Sequence, residues 1–199
     1  QIVKDLVEHG VELIKNDQNL TPLHVAAECG KSEIVEFFVQ HTSCSKEDRI
    51  DALELLGASY ANGSHTYDLD KAYHYWLLAM MERCSEPNNI LLKKPMEPVD
   101  AYGNHVECKT FKELGAIYNN EEKLHMEALV IRERILGEDN VEIPQAIVFR
   151  GAVYADTGYY DRCTKLWMRA LNLRFKNKCC VSKDIERFIH VFSQMHDIG

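Results

Sequence analysis

Lys165-Leu166-Trp167-Met168-Arg169-Ala170-Leu171-Asn172-Leu173-Arg174 echoes a stretch lying 42 residues earlier, Lys123-Leu124-His125-Met126-Glu127-Ala128-Leu129-Val130-Ile131-Arg132. Lys, Leu, Met, Ala, Leu and Arg are identical at matched positions. Matched residues at a fixed period are the signature of stacked helical units. Such units bury their apolar faces only against their neighbours, and the surface they build usually binds other proteins. The echo therefore predicts a binding scaffold rather than an enzyme.

Working outward, Ile147, Gly151 and Tyr154 fall on one helix, and Cys163, Trp167 and Ala170 on the next, across a turn at Asp156-Thr157-Gly158. Leu53, Leu56, Gly57 and Tyr60, followed by Ala72, Trp76 and Ala79, repeat the arrangement. This spacing fits the tetratricopeptide pattern, in which glycine admits the neighbouring helix and the aromatic residue fills the space beside it. Arg150 stands where the pattern expects Leu, and Cys163 where it expects Ala. The 42-residue period exceeds the usual length of about 34 and resembles the elongated repeats of kinesin light chains. Phe111, Leu114, Gly115 and Tyr118 show the same spacing, but the turn after them is too short for a regular unit. Between the units, residues 85–108 hold Pro87, Pro95 and Pro98 and read as a long connector.

Nearer the start, Thr21-Pro22-Leu23-His24-Val25-Ala26 matches the ankyrin signature in full. Thr21 can cap a helix, Pro22 suits its first turn, and Gly30 permits the turn to the next helix. His24 is expected to be a buried residue bonding a neighbouring repeat's turn. The amphipathic segment at 2–9 recurs at 34–41, so a further repeat is expected ahead of Gln1. The fold class expected is all-α: the end of an ankyrin array over residues 1–44, then tetratricopeptide-like repeats over 45–199, together an α-solenoid.

The charge is −8, from 23 Lys plus Arg against 31 Asp plus Glu. A negative field disfavours nucleic acid, whose phosphates demand Lys and Arg, and favours basic partners. No apolar run approaches the roughly 18 residues of a membrane span. Seven irregularly spaced cysteines predict reduced thiols and a cytoplasmic or nuclear protein rather than a disulfide framework. The opening at Gln1, inside an amphipathic pattern, has the form expected of a piece of a longer protein.

Candidate chemistry is sparse. His41/Cys44 and His105/Cys108 offer two His-x-x-Cys pairs, but 64 residues separate them and neither has a zinc-knuckle context. Glu121-Glu122 and Glu138-Asp139 are neighbours that do not face one another on a helix. The expectation is no catalytic residue, no metal and no cofactor. The predicted binding surface is the concave side lined by first helices, where Asp51, Glu54 and Asn62 in one unit, and Gln145 and Asp156 in another, are read as exposed groove positions. Carboxylates there suit a peptide containing Lys or Arg.

Several longer segments carry a more specific likeness: Ala52-Leu53-Glu54-Leu55-Leu56-Gly57-Ala58-Ser59, Ala101-Tyr102-Gly103-Asn104, Ile131-Arg132-Glu133-Arg134-Ile135-Leu136-Gly137, Arg150 through Asp156, and Val191-Phe192-Ser193-Gln194-Met195. Together with ankyrin repeats running into tetratricopeptide-like ones, they resemble the Fem (feminisation) family, most closely its B-type branch. The resemblance implies a substrate receptor of a cullin-RING ubiquitin ligase. Such a receptor captures proteins through C-terminal degrons, often ending in Arg, and docks on Elongin B/C and cullin-two. It also implies that the main degron pocket lies upstream of Gln1 and the Elongin-binding box downstream of Gly199. A general peptide-docking adaptor for transport or chaperone work is the rival reading.

Overall fold

The computed structural model describes residues 2–40, 44–63, 66–86 and 90–196, and all regular structure among them is helical. Three short helices come first: α1 (Ile2–Glu8), α2 (Pro22–Glu28) and α3 (Ser32–Val39). Thr21 caps α2 by accepting the His24 amide at 3.4 Å, while the His24 ring lies 2.7 Å from the Thr21 hydroxyl. His24 thus bonds its own helix cap through Nδ1, its Nε2 lies 3.9 Å from Asp48 in the unit that follows, and burial holds its pKa below the ordinary value. Gly30 adopts φ +67° between α2 and α3, a conformation that favours glycine.

α4 (Lys46–Asn62) is the helix on which the chain is built. Ser45 caps it, accepting the Asp48 amide at 3.0 Å. α2, α3, α5 (Leu69–Arg83), α7 (Glu121–Leu136) and α8 (Ile143–Asp156) all pack against it. Enclosed on every side, it buries each residue from Ala52 to Asn62, polar ones included.

Two helix pairs share one packing device. Gly57 on α4 faces Trp76 on α5 so closely that an added Cβ would stand 2.5 Å from the indole nitrogen. In the second pair, α8 and α9 (Tyr160–Lys176), a Cβ on Gly151 would stand 2.4 Å from the Trp167 ring. Each indole N–H donates to the carbonyl three residues before its glycine: Trp76 to Glu54 at 3.1 Å and Trp167 to Val148 at 3.0 Å. Phe188 of α10 (Ser182–His196) then stacks on Trp167 at 4.0 Å, extending the core into the last helix.

The middle unit departs from this plan. α6 (Phe111–Ile117) is only 7 residues long, and nothing lies within 4 Å of a Cβ placed on Gly115. Its companion α7 packs mainly on α4 instead. That placement separates the two echoed stretches. α7 lies against α4 and α8, so Met126 and Arg132 are buried; α9 keeps an outer face, where the matching Met168 is exposed. Among its described residues the connector forms one short helical element. Its 3-10 turn at Asp100–Tyr102 sinks Tyr102 completely, and the Tyr102 hydroxyl donates to Glu133 at 2.5 Å.

Arg132 ties the ankyrin part to the rest. Its guanidinium donates to Ser59 Oγ at 2.9 Å and lies 3.6 Å from Glu28, while Ser59 Oγ reaches the Ala27 and Glu28 carbonyls, each at 2.9 Å. Replacing Arg132 by Met keeps the bulk and removes these bonds. Arg132→Met is expected to cost roughly 1–2 kcal/mol and to speed hydrogen exchange in α2 more than in α9, measured by mass spectrometry.

Candidate functional site

Glu54, predicted as a groove carboxylate, is 2% exposed and sits at the centre of a buried charge network. Arg83 donates to both its oxygens at 3.1 Å, Lys93 lies 3.1 Å away, and Arg134 completes the set. Lys93 and Arg134 are shared with Glu107, at 2.7 and 2.8 Å. The network therefore clamps α4, α5 and α7 to the connector that supplies Lys93 and Glu107. Burial alone would push the Glu54 carboxyl up, but Lys93, Arg134 and Arg83 outweigh it and hold the group well below its ordinary range. Burial of a charge is tolerable only when partners of this quality surround it.

Asp51 lies at the edge of the network, 3.5 Å from Arg134. It lines a cavity of about 100 Å³ together with Glu47, Arg83, Lys93, Lys94 and Arg134. Burial pushes its carboxyl to about 6, with Arg134 opposing the shift and Glu54 adding to it. The folded state therefore keeps a proton that the unfolded chain releases nearer 3.8, so ionisation above about pH 6 works against folding. Stability from this group rises as pH falls from above 6 towards 4. Asp51→Asn mimics the protonated form. It is expected to raise stability at pH 7.5 by on the order of 1 kcal/mol and to flatten the pH 4–6 slope in urea titrations.

Asn62 is buried as well, with its amide donating to the His125 carbonyl at 3.0 Å and its oxygen accepting from Arg150 at 2.9 Å. This pairing accounts for Arg150 at a place expected to hold Leu: its charge is bonded inside the core to Asn62 and to the Ala61 carbonyl. His125, beside it, is held near pKa 4 by burial and by Arg150. Glu54 and Asn62 are thus core-bonding residues and not an open peptide groove, because neighbouring helices cover α4 from Ala52 to Asn62. Gln145 and Asp156 are exposed on α8 and are not joined to the α4 network. Behind Asp156, burial and the Asp156 charge raise the Cys163 thiol to about 12, an inert structural group.

The His-x-x-Cys pairs are not brought together among the described residues. His105 bonds Glu127 at 2.6 Å, the Cys108 amide donates to the same carboxylate at 3.0 Å, and burial pushes the Cys108 thiol far up. His41 lies outside the described residues. Local reading missed Arg83, Lys93, Glu107 and Arg134. Nothing in the sequence singles out Lys93 and Glu107, since the connector also holds Glu86, Lys94, Glu97 and Asp100.

The ankyrin-repeat family profile matches residues 18–51, covering α2, α3 and the start of α4. The human protein fem-1 homolog C is 38% identical over 177 residues, which is 88% of this chain. A Drosophila melanogaster relative, fem-1 homolog CG6966, is 40% identical over 169 residues, 85% of the chain, and the Danio rerio fem-1 homolog A 39% over 165 residues, 82% of it. The chain belongs to the Fem-1 family. It spans about a quarter of these relatives, covering 28%, 25% and 26% of their lengths. The B-type likeness rests on the sequence segments alone, since the relatives named here are of other types. Within the Fem-1 chain, the buried network and the two Gly–Trp contacts are rigid construction, as a repeat scaffold for protein interaction requires.

Proposed function

We propose that this Fem-1 segment is part of the substrate-recognition subunit of a cullin-RING ubiquitin ligase, acting without catalysis. It would hold a degron-binding ankyrin array in fixed orientation to the helices that follow. Family membership carries the reading. The seam through Arg132, Ser59 and Glu28 supports it physically, because a receptor must keep a bound substrate at a set position. In this reading the substrates bear C-terminal degrons of the Arg type, Elongin B/C and cullin-two dock through segments outside these 199 residues, and the protein works in the cytoplasm or nucleus. Gln145 and Asp156 are the predicted peptide contacts still exposed, and Asp51 reaches a cavity.

Peptides with free Arg C-termini, titrated against this chain and against one extended at its N-terminus, test the degron half. The extended chain is expected to bind and this one to bind at least tenfold more weakly; equal affinity contradicts an upstream pocket. Co-purification of the full-length protein with Elongin B/C and cullin-two tests the ligase half. Its absence favours the rival adaptor without a ubiquitin role.

A further inference from the structure

A second recess lies across the ankyrin–tetratricopeptide seam, away from the charged network. It measures about 580 Å³ and opens between α3 and α5, with Leu53 of α4 among its lining residues. Val39, Leu53, Leu78 and Met81 supply apolar surface, and Met81 at 55% exposed leaves a flexible thioether in solvent. Methionine at a rim adapts to varied apolar side chains. Among the described residues that line the recess, the charged ones are Glu36 from α3 and Glu82 from α5, with His74 beside them. Each carboxylate commits one oxygen inward. The Tyr75 hydroxyl donates to Glu36 Oε1 at 2.6 Å, and Arg49 donates to Glu82 Oε1 at 2.8 Å. Glu36, bonded to a neutral hydroxyl, keeps its full charge at the mouth, whereas Glu82 is ion-paired with Arg49 and offers only the oxygen outside that pair. Tyr75 itself is buried, stacked on Tyr60 at 5.6 Å, so the wall between the two carboxylates is rigid.

From this geometry we infer that the recess is a docking site for a protein segment of the pattern basic–apolar–basic. An aliphatic side chain of that segment seats on Val39, Leu53 and Leu78, and its flanking Lys or Arg residues reach Glu36 and Glu82. Charge complementarity selects the occupant. Among the described residues no Lys or Arg lines the recess itself, Arg49 reaching Glu82 from outside it; the two Glu stand on different helices, and the chain as a whole carries −8. An apolar contact supplies affinity, while the paired carboxylates supply orientation and discriminate against acidic or neutral segments. The site joins ankyrin and tetratricopeptide surface in one contact, and it stands whether or not the ubiquitin reading does.

The test is an amide chemical-shift titration of the 199-residue chain with the capped peptide acetyl-Lys-Ala-Leu-Leu-Ala-Lys-amide, which has no free C-terminus. Saturable shifts centred on Val39, Gln40, Leu78 and Met81 are expected. A peptide with both Leu replaced by Ser, and one with both Lys replaced by Gln, should each bind at least fivefold more weakly. The double variant Glu36→Gln/Glu82→Gln should weaken binding about tenfold while its amide spectrum away from the recess stays that of the folded chain, which separates lost binding from lost folding. Glu97→Gln, the same charge change on the exposed connector, should leave it unaltered. Shifts scattered over the acidic surface, or equal binding of the Ser peptide, overturn the inference. So do concentration-dependent shifts at these amides without peptide, which would make a second copy of the chain the occupant.

Discussion

Glu54→Ala is expected to cost about 3–5 kcal/mol and to leave a substantial fraction of the chain unfolded at 37 °C. The substitution removes the one carboxylate that Arg83, Lys93 and Arg134 all share. Glu107 still faces Lys93 and Arg134, and Asp51 faces Arg134, but among the described residues Arg83 would keep only the Leu91 carbonyl as a hydrogen-bond partner. Three cations on α5, the connector and α7 would then lie close together with too little negative charge between them. Urea unfolding followed by far-UV circular dichroism measures the loss. Glu54→Gln keeps the shape and one acceptor and should cost less, roughly half as much, because part of the hydrogen bonding survives. A loss below about 1 kcal/mol for Glu54→Ala would show that the cations relax into solvent, and the network would then be ornament rather than a clamp.

The same carboxylate sets a pH limit. Its folded-state pKa lies below its ordinary value near 4.5, so its contribution is complete above that value and is lost as pH falls through and below it. Asp51 runs the opposite way, gaining as pH falls from above 6 towards 4. The two slopes together place the best stability of this part of the molecule on the mildly acidic side of neutral.

How much of this was open to a reading of residues depends on the distance over which each partner acts. Thr21 through Ala26, Gly57 with Trp76, and Gly151 with Trp167 could be read because each device is completed within about 20 residues along the chain, inside one repeat. The polar interior of α4 could not. Glu54 meets Arg83 29 residues away and Arg134 80 residues away; Asn62 meets Arg150 88 residues away. A repeat pattern implies that a first helix shows one face to a groove, and Asp51, Glu54 and Asn62 were assigned on that premise. The connector and α7 fill that groove in this chain, so the carboxylate that pattern reading placed in solvent became a core bond. Arg150 was the clue: a charge at a Leu position needs a buried partner, and Asn62 is that partner. The recess between α3 and α5 was hidden for a related reason. It is assembled from ankyrin and tetratricopeptide residues at a seam that neither pattern describes.

Trp167→Ala is expected to be nearly as damaging as loss of Glu54, at about 3–5 kcal/mol, and the comparison with Gly151 shows why. Trp167 is 1% exposed, donates to the Val148 carbonyl at 3.0 Å, and carries Phe188 stacked on its ring at 4.0 Å. Removing it opens a cavity, frees a carbonyl's extra partner and loosens α10 at once. The converse change, Gly151→Ala, adds a Cβ only 2.4 Å from the same ring, so α8 and α9 must part or the indole must turn off its hydrogen bond. Overpacking of this kind costs about 1–3 kcal/mol. The two residues occupy one space, and their effects should not add. In the double variant Gly151→Ala/Trp167→Leu the smaller side chain leaves room for the new methyl group. Its destabilisation should therefore fall at least 1 kcal/mol below the sum of Gly151→Ala and Trp167→Leu measured singly. The same cycle at Gly57 and Trp76 should show coupling of the same sign, since that Cβ would stand 2.5 Å from the indole. Additive losses at both sites would mean that the helices are held apart by other contacts. Coupling at both would establish the Gly–Trp approach as the repeated joint that fixes helix spacing, and with it the geometry any bound partner meets.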